Sequence, residues 1–148
     1  MEEINNENFS DLKKMMHNDS TTSNNELDIF GKKLYGNKYI GTYPADTFVN
    51  KIYPEMKDGN ISVVNIDNHN QSGEHWVSFM KIGNKLYGYD SYGKNIKKYN
   101  PVFKKLKIIQ DTNDGEQTLS FSDKSCGQHA LIIWKIMENF GPKNFLMV

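Results

Sequence analysis

The residues of this chain best suited to chemistry are one thiol, one imidazole and one carboxylate in separate segments. Cys126, the only cysteine, lies between a polar loop at 121–125 and an apolar, helix-forming run at 127–137. A thiol at a helix N-terminus faces unpaired backbone N–H groups and the positive end of the helix dipole, and both favour the thiolate. Because the thiolate is the nucleophile, this position predicts a cysteine hydrolase. The alternative for Cys126 is a small buried helix residue, the usual place of a free cysteine.

Among the four histidines, His75 is the preferred base because it begins an alternating strand pattern and precedes Trp76, whose ring can wall a site. Two others lie in polar segments and are expected to be solvated: His17 and His69. His129 follows Cys126 by three positions on the same helix, and a side chain there leans back toward the thiol. No carboxylate is evidently placed to orient His129, so a structural or substrate-side role is preferred for it.

Asp90 is the candidate acid because a predicted hairpin brings it to His75. Gly83-Asn84 forms a turn between the strand that begins at His75 and the strand at 85–90. The two strands therefore pair antiparallel, and the ends that carry His75 and Asp90 lie side by side. Glu74, next to His75, is the second choice, and a solvated loop residue is the alternative for Asp90.

An oxyanion donor is expected from the loop before the cysteine, together with the backbone N–H of Cys126. Gln117, nine positions upstream of Cys126, is the candidate side chain. Gln110 is more distant at the end of a strand, and Gln128 lies inside the helix and should point elsewhere. A solvated loop glutamine is the alternative for Gln117.

Composition limits the function classes. The 148 residues are enough for one domain with a core, and 18 basic against 18 acidic side chains give no net attraction to nucleic acid or membrane. A single cysteine excludes an intrachain disulfide and a multi-cysteine zinc site, so no metal or other cofactor is predicted. An unpaired thiol, the lack of a bilayer-spanning stretch and a polar N-terminus favour an intracellular protein with no membrane partner.

The hydrophobic pattern predicts an α+β domain over 27–148, after a flexible polar segment at 1–26. Strands are predicted in four places: 61–66, 75–81, 85–90 and a segment that ends at 109. Other segments are expected to be helical or irregular: a helix at 27–34, a turn-bearing segment at 40–46, a stretch at 48–57 that is helical until Pro54, and a short helix near 96–99. The expected architecture is a small mixed β-sheet packed on helices, with a central helix at 126–140 carrying Cys126 at its N-terminus.

Three segments together resemble the adenain family, the adenovirus maturation protease and its relatives from virophages, other large DNA viruses and related transposons. They are Gly73-Glu74-His75-Trp76-Val77-Ser78-Phe79, Tyr87-Gly88-Tyr89-Asp90-Ser91-Tyr92-Gly93, and Gln117 through Ser125-Cys126-Gly127. Ile40-Gly41-Thr42-Tyr43 also resembles the Gly-Thr-Tyr segment near the adenain N-terminus. The resemblance spans roughly residues 27–140. The SUMO-deconjugating proteases are more distantly similar and share the His-Trp, Asp and Cys-Gly arrangement.

The resemblance implies an adenain-like or papain-like cysteine protease fold with four catalytic roles. These are His75 as base, Asp90 as the acid that orients it, Cys126 as nucleophile and Gln117 as the oxyanion-hole side chain. Trp76 is expected to pack beside the site and, with Gly127, to contact substrate. The implied activity is cysteine endopeptidase cleavage of viral capsid or virion precursor polypeptides at glycine-containing sites during maturation. The implied location is the virion and the host cell interior, in the cytoplasm, a viral factory or the nucleus.

Departures from the adenain pattern change what is expected. The family glutamine lies closer to the cysteine, so Gln117 requires a local insertion. Adenain has glutamate at the position that corresponds to Asp90, whereas the deconjugating proteases have aspartate, as this chain does. Either carboxylate can orient an imidazole. The second cysteine that tethers the activating peptide of adenain is missing, so any peptide activator is expected to bind noncovalently. For DNA activation, also known in adenain, the local basic candidates are Lys97-Lys98 and Lys104-Lys105-Lys107, with solvated lysines as the alternative.

Two other functions stay open. One is a deconjugating protease for ubiquitin-like modifiers, which would need a surface that binds a folded modifier. The other is a noncatalytic, capsid-associated interaction module that has kept the fold. The presence of His75, Asp90 and Cys126 together argues against the second, because a scaffold has no need for all three.

Overall fold

The computed structural model describes residues 24–71, 75–110 and 126–140, and for Cys126 and residues 137–140 it describes the backbone alone. The main elements in chain order are helix α1 (Asn24–Tyr35), strands β1 (Tyr39–Pro44), β2 (Ile61–Asn65), β3 (Trp76–Ile82), β4 (Lys85–Tyr89) and β5 (Ile108–Ile109), and helix α2 (Cys126–Phe140). Short helical turns lie between them: Gly36–Lys38, Ala45–Thr47, Phe48–Ile52, Tyr53–Glu55, Ile96–Lys98 and Pro101–Lys105. None of the helices in these ranges is long and apolar enough to cross a membrane.

The five described strands form one sheet in the order β1-β2-β3-β4-β5. β3 pairs antiparallel with both of its neighbours, β2 and β4. The outer strands pair in parallel, β1 with β2 and β5 with β4. The prediction of an α+β chain with a small mixed sheet is therefore confirmed. The predicted helix at 126–140 is also confirmed, and α2 contacts β3, β2 and α1.

Both faces of the central strands are covered. Consecutive residues point to opposite faces, and Val63 and Val64 on β2 enter two different clusters. One cluster contains Leu27 of α1 and Trp134 of α2, and the other is built from buried side chains that include Phe48. Full burial of one such side chain contributes about 1.5–3 kcal/mol. The alternating pattern expected for β3 is therefore wrong: its first four residues, Trp76, Val77, Ser78 and Phe79, are all buried.

The segment predicted as turn-bearing, 40–46, is a strand over most of its length. β1 runs to Pro44 and pairs in parallel with β2, with a register shift between Tyr39 and Gly41. Gly41 has φ +122°, and a Cβ on it would lie 2.6 Å from the hydroxyl oxygen of Tyr43, so only glycine fits there. Glycine and proline obscured the strand in the sequence, because both are typical of turns.

Helix α1 begins at Asn24, earlier than the predicted start at Leu27 and inside the segment assigned as flexible. Its first residues, Asn24-Asn25, are exposed and polar, which makes them resemble a linker in the sequence. Glu26 in the first turn favours the helix because its charge faces the positive end of the helix dipole. The remainder of the predicted flexible segment, residues 1–23, lies outside the described residues.

Candidate active site

His75 and Asp90 form a buried hydrogen-bonded pair at the open end of a hairpin. β3 and β4 are joined by the turn at Gly83-Asn84, and their ladder ends with the pair Ser78 and Tyr89. Just beyond that pair, Nε2 of His75 lies 2.6 Å from Oδ1 of Asp90, and the two residues are 8% and 4% exposed. The predicted hairpin and the predicted adjacency of the two side chains are confirmed.

The second oxygen of Asp90 receives two further hydrogen bonds. The backbone N–H of Lys94 donates to Oδ2 at 2.9 Å, and the hydroxyl of Tyr99 donates to it at 2.8 Å. The backbone N–H of Gly93 donates to the Asp90 carbonyl oxygen at 2.9 Å and closes the turn after β4. Donors on both oxygens fit an ionised carboxylate, which is an acceptor only, and hydrogen bonds to a charged acceptor are the stronger kind. Asp90 is therefore held in one orientation toward His75.

Tyr89, which precedes Asp90, does not compete with His75 as a proton carrier. Burial raises the pKa of the Tyr89 hydroxyl well above its ordinary value, and the negative charge of Asp90 raises it further. The phenol therefore stays neutral through the pH range in which an imidazole exchanges protons.

Two tyrosine rings pack against the imidazole of His75. The ring of Tyr92 stacks on it with centroids 4.9 Å apart and planes at 27°. The ring of Tyr99 is tilted by 44° at 5.2 Å. These contacts restrict rotation of the imidazole, and aromatic faces attract a cationic ring electrostatically. Tyr99 therefore contacts both members of the pair, His75 through its ring and Asp90 through its hydroxyl.

The pairing assigns different tasks to the two ring nitrogens of His75. Asp90 lies at Nε2, so in the neutral imidazole Nε2 carries the proton and donates it to the carboxylate. Any proton that the neutral ring accepts then goes to Nδ1. A carboxylate in this position also stabilises the imidazolium that forms in this way.

The backbone of His75 is fixed by the loop that follows β2. The backbone N–H of Ile66 donates to the His75 carbonyl oxygen at 3.0 Å. The side-chain amide of the buried Asn100 donates to the Ile66 carbonyl oxygen at 2.9 Å and to Oδ1 of Asn68 at 3.0 Å. Its own oxygen accepts the backbone N–H of Val102 at 3.0 Å. The strand entry at His75 is therefore tied to the segment that contains the tyrosines.

The residue after His75 lies close to the residue after Cys126. Trp76 is 5% exposed in the core, and a Cβ built on Gly127 would lie 3.1 Å from Cδ1 of its indole. Glycine at 127 thus lets the first turn of α2 approach the start of β3 closely. Cys126 is the first residue of α2, as predicted. The Cys126 side chain and the whole of Gln117 lie outside the described part of the chain.

This close approach predicts the effect of Gly127→Ala. Inside a helix, alanine is ordinarily more stable than glycine by about 1 kcal/mol. Here the new methyl group would press on the indole of Trp76, so the helix start or the ring has to shift by a few tenths of an ångström. We expect no gain in thermal stability. In the peptide cleavage predicted from the sequence we expect a roughly tenfold loss, because reacting groups tolerate little displacement.

The measurements for Gly127→Ala are the melting temperature and kcat for a model peptide. A double-mutant cycle with Trp76→Phe provides the control, because the smaller ring relieves the contact and the combined loss should be less than additive. An alanine variant that is more stable and equally active would show that the contact does not position the helix.

The side chains of Gln110, Gln128 and His129 are hydrogen-bonded or buried within the protein. The amide of Gln110 donates to the Lys94 carbonyl oxygen at 2.5 Å, and its oxygen accepts the Ile96 backbone N–H at 3.0 Å. Gln110 thereby holds the loop whose Lys94 N–H binds Asp90. Gln128 lies on α2, as predicted, and both Gln128 and His129 are buried.

The side chain of His69 is 68% exposed, as predicted, yet it forms an ion pair with Asp46. Its Nδ1 lies 2.5 Å from Oδ2 of Asp46, and its backbone N–H donates to Oδ1 at 2.9 Å. Partial burial raises the pKa of Asp46, but hydrogen bonds from His69 and from the Thr47 backbone outweigh it and hold that pKa below its ordinary value. This second His–Asp pair is exposed, unlike the pair of His75 and Asp90.

Sequence reasoning did not assign roles to three residues that contact the pair: Tyr92, Lys94 and Tyr99. Tyr92 could have been found, because extending the hairpin ladder places it opposite His75. Tyr99 and the Lys94 backbone reach Asp90 through an irregular loop, for which no periodic signal exists. Within 24–71, 75–110 and 126–140, no group of three His, Cys, Asp or Glu side chains could hold a metal ion.

No protein-family model matches the chain, and no curated protein matches it with significant similarity.

Proposed function

We propose that this protein is a cysteine endopeptidase in which Cys126 is the nucleophile, His75 the base and Asp90 the acid that orients the base. The observation that carries the proposal is the buried pair of His75 and Asp90, 2.6 Å apart, next to the close approach of Trp76 and Gly127. The residues that directly follow the proposed base and the proposed nucleophile lie so close that a Cβ on Gly127 would be 3.1 Å from the Trp76 indole. Such a close approach supports an imidazole and a thiol at the same edge of the molecule.

In the proposed reaction, the Cys126 thiol gives its proton to Nδ1 of His75 and the thiolate sulfur attacks the peptide carbonyl carbon. The tetrahedral intermediate expels the amine, which takes the proton from His75, and a thioester remains. Water then loses a proton to His75 and attacks the thioester, which releases the acid and regenerates the thiol. Asp90 stays ionised throughout and keeps the imidazole in its working tautomer.

The developing oxyanion needs donors that are in place before the reaction. The backbone N–H of Cys126 is one candidate, because the first N–H groups of a helix have no partner within the helix. Gln117 is the proposed side-chain donor, and its test is a loss of kcat in Gln117→Ala with little change in KM. Removal of one such donor typically costs about 100- to 1,000-fold in kcat.

The finer proposal is an adenain-like protease that processes virion precursor polypeptides at glycine-containing sites. Its supports are the sequence resemblance, the buried His-Asp pair and the mixed sheet packed on helices. Trp76 and Gly127 are proposed to border the substrate where the two meet. A peptide activator would bind noncovalently, since the chain has one cysteine. The lysines near Lys97 and Lys104 are the proposed site at which DNA binding should be tested.

The direct test is the pH dependence of Cys126 alkylation by iodoacetamide. In the denatured chain the rate should fall about tenfold per pH unit below the ordinary thiol pKa of about 8.5. In the native protein, a thiolate paired with imidazolium should keep the rate nearly constant from pH 8 to pH 6. A native rate that follows the denatured one would contradict the proposal and favour a noncatalytic module.

A cleavage assay distinguishes the two protease alternatives. An unstructured peptide with a Gly-Gly site should be cut as fast as the same site placed after a folded ubiquitin-like modifier. Cleavage that requires the folded modifier would instead favour a deconjugating protease.

A further inference from the structure

The hydroxyl of Tyr35 lies within the backbone hydrogen-bond pattern of α2. It donates to the Leu131 carbonyl oxygen at 2.5 Å and accepts the Lys135 backbone N–H at 3.0 Å. In an uninterrupted α-helix these two groups, four positions apart, bond each other directly. The last residue of α1 therefore bridges one step of the helix that begins at Cys126.

A second contact ties the same turn of α2 to the sheet. The indole N–H of Trp134 donates to the hydroxyl of Ser78 at 2.9 Å, and both residues are buried. Ser78 lies on β3, three positions after His75. The turn at 131–135 is thus held both by α1 and by the strand that follows the proposed base.

Tyr35 is itself well fixed. It is buried at the end of α1, and its ring stacks on that of Tyr39 with centroids 6.4 Å apart and planes at 21°. Gly36, with φ +60°, then turns the chain toward β1. A side chain inserted into a helix ladder is one of the known causes of helix bending. The hydroxyl therefore influences the course of the segment from Cys126 to Leu131, which is about 7.5 Å of helix.

The geometry points to Tyr35 as a positioning residue for the nucleophile, an inference that rests on the proposed function. Its hydroxyl bridges Leu131 and Lys135 and so sets where the first turns of α2, and Cys126 with them, lie relative to His75. Without the hydroxyl, this link between α1 and the turn at 131–135 is lost, and the cysteine moves. A displacement of about 1 Å between reacting groups costs on the order of 100-fold in rate.

The test compares Tyr35→Phe with Tyr39→Phe in the full chain. The two variants are matched: each removes one buried tyrosine hydroxyl, but that of Tyr39 bonds Oγ1 of Thr42 at 2.6 Å instead of α2. We expect Tyr35→Phe to lower kcat about tenfold at unchanged KM and to move the midpoint of the Cys126 alkylation profile toward the ordinary thiol value. Tyr39→Phe should change neither quantity, although both variants lose thermal stability.

Backbone NMR shifts give a readout that does not depend on catalysis. In Tyr35→Phe the amide shifts of residues 127–130 should change along with that of Lys135, and in Tyr39→Phe they should not. Equal effects of the two variants on kcat, on the alkylation midpoint or on these shifts would overturn the inference while leaving the protease proposal intact. If the wild-type thiol is not activated at all, the protease proposal fails, and the shifts alone decide whether Tyr35 sets the position of the helix start.

Discussion

Asp90→Asn is expected to lower kcat for peptide hydrolysis about 10⁴-fold while the chain stays folded. The reason lies in the donors around the carboxylate. Oδ2 faces the backbone N–H of Lys94, which can only donate, and the hydroxyl of Tyr99. The asparagine carbonyl must therefore occupy the Oδ2 position, and its NH₂ group must point at Nε2 of His75. Nε2 then has to accept, the imidazole proton moves to Nδ1, and Nδ1 can no longer take the proton of the thiol.

The measurements are kcat and KM for a cleaved peptide, with circular dichroism as the check on folding. Asp46→Asn is the matched control, because it changes the exposed His–Asp pair in the same way and should leave kcat unchanged. An Asp90→Asn variant that keeps a tenth or more of the wild-type kcat would show that Asp90 does not set the tautomer of His75.

His75→Ala is expected to remove five to six orders of magnitude from kcat, about as much as loss of the base costs in a serine protease triad. It should also restore the ordinary pH dependence of Cys126 alkylation, with a midpoint near about 8.5, because no imidazolium remains to stabilise the thiolate. The buried Asp90 keeps its bonds from Lys94 and Tyr99, so the variant should still fold.

Added imidazole is expected to restore part of the activity of His75→Ala. Removal of the side chain leaves a space lined by the rings of Tyr92 and Tyr99, with the Asp90 carboxylate facing it. Imidazole fits this space, and the rescue should saturate with concentration. His69→Ala is the control, because it deletes an exposed histidine and should need no rescue. Wild-type rates in His75→Ala without imidazole would rule out His75 as the base.

The parts of the fold that depend on local signals were predictable. The hairpin followed from the two-residue turn at Gly83-Asn84, and the pairing of His75 with Asp90 followed from the hairpin. The start of α2 at Cys126 followed from the change from a polar to an apolar pattern. These features depend on turn chemistry and hydrophobic periodicity, which the sequence carries over a few residues.

Features that depend on contacts distant in sequence were not predictable. β1 contains Gly41 and Pro44 and gains its strand conformation from parallel pairing with β2, which leaves no local signature. Burial of β3 on both faces required knowledge of what covers each face. The hydroxyl bond of Tyr99 to Asp90 and the bridge from Tyr35 to α2 both depend on how loops and helices pack.

The two halves of the candidate site differ greatly in the sequence distance they span. His75 and Asp90 are 15 positions apart, whereas Tyr35 and Leu131, which join α1 to the cysteine helix, are 96 apart. Short loops lose less chain entropy on closure, and contacts close in sequence form sooner. We therefore expect the imidazole and the carboxylate to meet early in folding, and the thiol to join them near its end. Under the proposed function, a newly synthesised chain would cleave no other protein until it has reached the native state.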